Sequence, residues 1–413
     1  MEEESEHFDD EKESGCDVSD DGSEDVDEEV QEDMVKFQES FKDIGQRYRL
    51  INVIGEGTFS TVYKAEDLLY DHYRNDWDVG HRYTKSRSQK RRSKFVAIKK
   101  IYVTSSPSRI INELELLHEL QDAGNVCPLI TAFRHQDQVI AILPFFEHQD
   151  FRDYYRKCSV TEMAVYFHSL ITALKFVHEC EILHRDIKPT NFLYSPSAGR
   201  GVLVDFGLAE RNGTDSSFCL CTYASSYRQR KVQSSVYTST LSATQAAGEP
   251  APRPTYPNID QRPSRRANRA GTRGFRAPEV LLKCPSQSPV IDIWSCGIIL
   301  LTFLSQRFPF FHSADDIDAF LELCCVFGKK KMKAVALLHG QVMQTNIPTI
   351  TENGHGWEKV LLWCTNRPRK DSRGKSGLSP DELEAVKFME CCLELDPMER
   401  ITAEEALEHP FLQ

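Results

Sequence analysis

The chain has 413 residues, 40% hydrophobic and 27% charged, with a formal net charge of -12, so it can build one large domain or two lobes with substantial cores. Its longest apolar runs, such as CGIILLTFL at 296–304, fall short of the roughly 18–20 residues that cross a bilayer. MEEESEHFDD at the start carries no basic or apolar signal region, and we expect an intracellular protein with no membrane contact. Thirteen scattered cysteines do not have the spacing of a small secreted disulfide framework, and disulfides are not expected.

Eighteen acids and one lysine fall within residues 1–33, which leaves the rest slightly basic. Such a segment buries too little apolar surface to offset its ordering entropy. We therefore expect an acidic disordered tail over 1–45, with order beginning near Tyr48.

From there YRLINVIGEGTFSTVYKAED alternates apolar and polar residues about a glycine-rich turn, the pattern of two antiparallel strands; KFVAIKKIYV is a third. Between them lies an insertion at about 70–94 ending in the basic run KSRSQKRRSK, read as a solvated loop or as a nuclear-import or acidic-partner element. SPSRIINELELLHEL enters a helix through Ser-Pro and places Ile110, Leu114 and Leu117 on one face. DQVIAILPFF is again strand-like, and helical periodicity dominates afterwards, as in VTEMAVYFHSLITALKFVHEC. The pattern is α+β: a small antiparallel-sheet lobe over 46–146, then a larger mainly helical lobe over 147–413. A Ser-, Thr-, Gln-, Pro- and Arg-rich stretch at about 211–268 reads as a flexible insertion in the second lobe, and a weaker polar stretch near 344–380 as another.

In GEGTFSTV, Gly55 and Gly57 free backbone amides to approach phosphates, although a plain hairpin also fits, and Ser60 stands where a third glycine is usual. Lys99 closes VAIK on the third strand, where its ammonium can meet phosphate oxygens. Glu113 is phased to hold it, with Glu115 as a rival. HRDIKPTN and VLVDFGLAE supply the rest. Asp186 is placed to accept a hydroxyl proton, Lys188 to neutralise the moving phosphoryl group, and Asn191 with Asp205 to ligate magnesium through hard oxygens.

Over residues 48–412 these motifs, with APE at 277–279, DIWSCGIILL and DPMERITAEEALEHPFL, resemble the eukaryotic protein kinases. The resemblance implies the bilobal kinase fold and ATP with Mg2+ as cofactors. It further implies that Val62, Ala97 and Leu143 line the adenine pocket and that Pro144 to Phe146 form the hinge, the Pro144 carbonyl still able to accept a hydrogen bond. Glu279 is expected to pair with Arg400, Asp292 to support the catalytic loop, and Phe206 to set the direction of Asp205. Lys188 and Thr272 match the serine/threonine subgroup.

Ahead of APE lie Arg273 and Arg276. Two guanidinium groups there favour a carboxylate or phosphate after the acceptor, unless one of them pairs internally with an acid. Casein kinase two, which acts alone, is similar in this respect. RRANRAGTRGFRAPEVLLKC and KKIYVTSSPSRIINELELL resemble most closely the cell-division-cycle-seven family of replication-initiation kinases, fungal type. That resemblance implies a nuclear serine/threonine kinase with an activating regulatory subunit and replicative helicase subunits as protein substrates; direct nucleic-acid binding is not expected. A pseudokinase scaffold is disfavoured by intact Lys99, Asp186, Asn191 and Asp205. Ser5, Ser19 and Ser23, each followed by an acid, make the tail a candidate autophosphorylation substrate. Cys219-x-Cys221 is half of a tetrahedral zinc set, and the insertion supplies no other half.

Overall fold

The computed structural model describes residues 27–57, 60–73, 75, 94–102, 106–135, 138–213, 219–248, 271–369 and 377–413. The tail serines, the tip of the glycine-rich turn at 58–59 and most of the basic run lie outside the described residues.

Five antiparallel strands, β1 (Tyr48–Glu56), β2 (Ser60–Asp67), β3 (Phe95–Ile101), β4 (Thr131–His135) and β5 (Gln138–Pro144), form a sheet in the order β1-β2-β3-β5-β4. Directly opposed residues share a face, and the pairs Val62↔Lys99, Lys99↔Ala141 and Ala97↔Leu143 put Val62, Ala97, Lys99 and Leu143 on one side. The alternate residues, Tyr63, Ala65, Val96, Ile98, Ile140 and Ile142, are buried in a separate core on the other side.

That second face is covered by α1 (Glu28–Ser40) and α2 (Lys42–Arg47). These helices correct the expectation of disorder for residues 28–45 and of order beginning near Tyr48; residues 1–26 lie outside the described part. The Asp27 side chain caps α1, and Glu28 and Glu29 sit in its first turn, where the helix dipole favours anions. Met34, Phe37, Phe41 and Ile44 recur every three or four residues and enter the sheet core. Phe37 stacks on Tyr63 with ring centroids 4.7 Å apart, and the Tyr63 hydroxyl donates to Asp33 at 2.6 Å. The high charge of the whole segment concealed this short apolar stripe.

Helix α3 (Pro107–Glu119) begins on Ser106 and Pro107 as expected. It buries Ile110, Glu113, Leu116 and Leu117, while Leu114 is only half-buried. In the second lobe α5 (Val160–Glu179), closed by a Ser159/Glu162 capping box, packs beside α9 (Val290–Ser305), every residue of which is buried. The half-buried α5 is long and apolar enough by composition to cross a membrane; here it is a core helix. Between these two, β6 (Ile182–Leu183) pairs with β9 (Glu210–Arg211), and β7 (Phe192–Ser195) with β8 (Arg200–Leu203).

The first part of the long insertion differs from the flexible segment expected. It forms α6 (Ser225–Gln233) and α7 (Val236–Ala246), and buried Arg228 on α6 bonds Asp396 at 2.5 Å. Residues 214–218 and 249–270 lie outside the described part. In the later polar stretch α12 (Trp357–Cys364) buries Trp357, Leu361 and Leu362.

Because Phe37 is 1% exposed, Phe37→Ala is expected to destabilise the protein by about 3–5 kcal/mol. Val35→Ala, at a position 51% exposed, is expected to leave the melting temperature nearly unchanged. Thermal unfolding of the two variants checks that α1 is part of the folded lobe.

Candidate active site

Strand alternation turns Lys99 of β3 into the cleft, and the phase of α3 turns Glu113 toward it. Lys99 Nζ donates to Glu113 Oε1 at 2.7 Å and to Asp205 Oδ1 at 3.0 Å. Burial by itself would lower the Lys99 pKa, but the charges of Glu113 and Asp205 outweigh it and raise the group above its ordinary range. Lys99, before all other causes, pulls the Asp205 carboxyl down to about 2. Glu115 is exposed and takes no part in this triad. The triad holds the strand, the helix and the Asp-Phe-Gly turn together.

Asp205 has a φ of 64°, which turns its carboxylate back into the cleft. Phe206 is fully buried with its ring edge-on to His184, and Gly207 and Ala209 carbonyls accept from Arg109 and Asn112 of α3. Helix α3 is thereby fastened to the start of the activation segment.

Asp186 is the hub of the catalytic loop. Its Oδ1 accepts from the Thr272 backbone at 3.0 Å and hydroxyl at 3.3 Å; its Oδ2 accepts from Asn191 Nδ2 at 3.0 Å and lies 3.1 Å from Lys188 Nζ. The loop is set by Asp292 of α9, which accepts from the His184 and Arg185 backbone amides at 2.9 and 2.8 Å and contacts His178 Nε2 at 3.0 Å. Burial alone would raise the Asp292 carboxyl; the His178 bond, then the two histidines and the Arg185 amide, carry it below its ordinary value. Its contribution to stability is therefore present above the unfolded carboxylate range near pH 4 and lost as pH falls below it. Glu279 and Arg400 form the expected pair at 2.6 Å, almost wholly buried.

The donors fit a divalent ion and ATP. Asn191 spends its amide nitrogen on the Asp186 carbonyl and carboxylate, which leaves its oxygen as the acceptor toward the cleft. The Asp205 side chain retains 45% exposure beside Lys99. Ala97 opposes Leu143 and β5 ends at Pro144, whose carbonyl faces the weak Cys127 thiol donor at 3.9 Å. The Phe146 carbonyl faces His148 Nδ1 at 2.9 Å. Gly55 opposes Val62 across the turn, and the Gly57 amide closes the turn on the Ser60 carbonyl.

The structure divides the two arginines. Arg276 donates through Nε and Nη2 to the Gly271 carbonyl at 2.9 and 2.6 Å and through Nη1 to Asp316 at 2.6 Å. This is the internal pairing weighed above. Arg273 is exposed and has no ion pair among the described residues. Gly271, at φ +79°, makes the joint: an added Cβ would lie 2.4 Å from the Arg185 carbonyl.

One contact had no counterpart in the motif reading. Arg185, the middle residue of HRD and 4% exposed in its side chain, pairs with Glu210 at 2.7 Å. Glu210 ends VLVDFGLAE, so both residues were quoted, but nothing in their spacing links them.

These elements have the layout of a protein kinase: a cleft lysine fixed by a helix carboxylate, an aspartate at the centre of the loop after β6, and carboxylate and amide oxygens beside it. The protein kinase domain family matches residues 83–242 and 258–412. The cell cycle serine/threonine-protein kinase hsk1 of Schizosaccharomyces pombe is 45% identical over 97% of this chain and 81% of its own length. The cell cycle protein kinase spo4 of the same organism is 40% identical over 94% and 90%. The human cell division cycle 7-related protein kinase is 25% identical over 93% and 92%. The chain belongs to the protein kinase family, as a cell cycle serine/threonine kinase of the cell-division-cycle-seven type.

Asp186→Asn keeps the side-chain shape but turns one of the two accepting oxygens into a donor facing other donors and removes the proton acceptor; kcat is expected to fall about 10²–10⁴-fold. Steady-state phosphorylation with the purified chain measures it. Glu210→Ala leaves Arg185 buried and unpaired, at a cost of roughly 2–4 kcal/mol, below the fully buried case because Glu210 is 29% exposed. Removing both charges in Arg185→Met/Glu210→Ala is expected to recover most of that loss, as read by a double-mutant cycle of thermal unfolding.

Proposed function

We propose that this kinase transfers the terminal phosphoryl group of ATP, with Mg2+, to serine or threonine followed by an acidic or phosphorylated residue. In this reading Asp186 takes the proton of the acceptor hydroxyl while its oxygen bonds to phosphorus and the bond to the ADP oxygen breaks. Lys188 balances charge beside that carboxylate, and Lys99 holds the phosphates. Mg2+, held by Asn191 and Asp205, would neutralise the phosphate oxygens. Thr272, bonded to Asp186, is the wall against which the acceptor rests.

The observation that carries the acid-directed preference is Arg273. It is exposed, unpaired among the described residues, one position from Thr272, and close enough to Arg276 to lower that residue's pKa alongside burial. A free guanidinium on the substrate side favours a carboxylate or phosphate by charge-assisted bonds and disfavours an apolar neighbour. Arg276, held by Asp316 and Gly271, supports that floor and adds to its positive field.

The relatives' names speak of the cell cycle; on the family resemblance of the motifs we further propose a role in initiating DNA replication in the nucleus, with an activating regulatory subunit and acidic tails of the replicative helicase as substrates. A second reading, an acidophilic kinase active alone in the manner of casein kinase two, is favoured by the Lys99–Glu113 pair, which is closed in the single chain at 2.7 Å. Activity with and without a co-expressed regulatory subunit separates the two.

On peptide arrays, Arg273→Glu is expected to lower the preference for Asp, Glu or phosphoserine after the acceptor by roughly 10-fold or more, a difference of about 1.4 kcal/mol. Peptides with neutral residues there should be phosphorylated about as well as before. An unchanged preference would remove Arg273 from the pocket while leaving the kinase assignment intact.

A further inference from the structure

Beyond the Arg273–Arg276 turn the helical lobe carries a surface of one sign that the cleft chemistry leaves unused. Helix α10 (Asp316–Phe327) packs on α8 (Pro278–Leu281) and on the Arg273–Phe275 turn, and its first residue, Asp316, holds Arg276 at 2.6 Å. Gly328, at φ +87°, turns the chain from α10 into α11 (Lys329–Leu338). Helix α11 opens with Lys329, Lys330, Lys331 and Lys333 and contains no acid. It packs beside α6, which also contains no acid and leaves Arg230 and Lys231 exposed.

The register of α11 is fixed by Met332, Val335 and Ala336, which are buried. Lys330, Lys331 and Lys333 are therefore turned outward and exposed, and Lys329 is half-buried. None of the four has an ion pair among the described residues. The Lys329 and Lys330 amides donate to the Thr351 and Glu352 carbonyls at 2.9 and 3.0 Å, so the surface is offered by side chains and not by the helix start. Glu352 is the acid placed beside it by that bond. The arrangement works against the fold, because lysines in a first turn oppose the helix dipole and Lys329 and Lys333 are like charges four positions apart. Helix α10 shows the ordinary solution, with Asp315 as its cap and Asp316 and Asp318 in its first turn. Unpaired cations held in this way are complementary to a run of carboxylates.

We propose that the lysines of α11, with Arg230 and Lys231 of α6, dock an acidic stretch of the protein substrate downstream of its acceptor; this rests on the acid-directed reading of Arg273. Helix α10 connects the two positive surfaces. Its 12 residues span about 18 Å from Asp316 to the lysines, a distance that an extended chain covers in about five or six residues. A substrate whose first residue after the acceptor meets Arg273 reaches α11 from about the seventh residue onward, so acids there are held in register with the acceptor. Because the acceptor floor and the lysines lie along one path on the same lobe, the occupant is the polypeptide being phosphorylated and not a nucleic acid. The contact is equal in the ground and transition states, so it lowers KM and leaves kcat unchanged.

The test uses the full chain and two serine peptides with Asp after the acceptor, one carrying glutamates and the other glutamines from about the seventh to the twelfth residue downstream. The glutamate peptide is expected to show a KM roughly 10-fold lower at low salt, an advantage that shrinks as ionic strength rises. Fluorescence anisotropy of the same peptides gives the comparison without turnover. Lys330→Glu/Lys331→Glu/Lys333→Glu is expected to erase the advantage while leaving kcat/KM for the glutamine peptide unchanged; acids suit a helix start, so the melting temperature should not fall. The neutral Lys330→Gln/Lys331→Gln/Lys333→Gln should lose most of the advantage as well, which separates lost attraction from new repulsion. Equal KM and equal binding for the two peptides would overturn the proposal, as would an advantage that survives in both lysine variants. Variants that lose only the binding of a duplex oligonucleotide would make the surface a nucleic-acid site and overturn it too. The acid-directed reading is scored separately, by Asp against Ala after the acceptor in the glutamine peptide.

Discussion

The contact on which the arrangement depends is the ammonium of Lys99 between two carboxylates, Glu113 at 2.7 Å and Asp205 at 3.0 Å. It joins three separately folded pieces: a strand of the small lobe, helix α3, and the Asp-Phe-Gly turn of the large lobe. An isolated buried lysine would tend to lose its proton; here the two acids keep it charged, so a fixed cation faces the cleft. The same interaction constrains the fold. Glu113 reaches Lys99 only if α3 is rotated inward, and Asp205 only if Phe206 is buried against His184. Arg109 and Asn112, bonded to Gly207 and Ala209, hold α3 in the position that the triad requires.

This division of labour explains the unusual distribution of core residues. The apolar residues of α3, Leu116 and Leu117, belong to the core of the large lobe, whereas the outer face of the sheet belongs to α1 and α2. With α3 committed to the cleft, another element must cover Tyr63, Ile98 and Ile142, since an exposed apolar sheet face invites association. The N-terminal helices do so. Their place on the face opposite Lys99 means that they stabilise the strand that carries it without touching the cleft side.

Much of the cleft was legible in sequence because its parts are local motifs with obligatory chemistry. VAIK fixes its lysine by strand alternation, HRDIKPTN its aspartate and asparagine by a short loop, and NELELLHEL its glutamate by helix phase; Glu113 rather than Glu115 followed from that phase alone. What was not legible depended on distance or averaging. A high acid count hid the stripe of Met34, Phe37, Phe41 and Ile44. Arg276 was open to either partner, because Asp316 lies 40 residues away and only the fold brings it to 2.6 Å. The fold brings Cys284 Sγ to 3.6 Å from Cys221 Sγ and His339 Nδ1 to 3.7 Å from Cys219 Sγ, across 63 and 120 positions. No spacing rule connects them. Only Cys219-x-Cys221 was visible, as half of a set.

The activation segment shows why so long an insertion is compatible with a fixed site. Its start is held by the triad at Asp205 and by Arg185 on Glu210; its end is held by Thr272 on Asp186 and by Glu279 on Arg400. Between fixed ends, loop entropy grows only as the logarithm of length, about 0.6 kcal/mol for each doubling. Additional residues therefore weigh little on stability provided that the anchors remain. Arg228 on Asp396 adds a further anchor, since it brings α6 onto the helical lobe. The segment Gly271 to Arg276 can then keep its own geometry. Its position is set by the hydrogen bonds from Thr272 to Asp186 and from Arg276 to Gly271 and Asp316, none of which passes through the inserted residues.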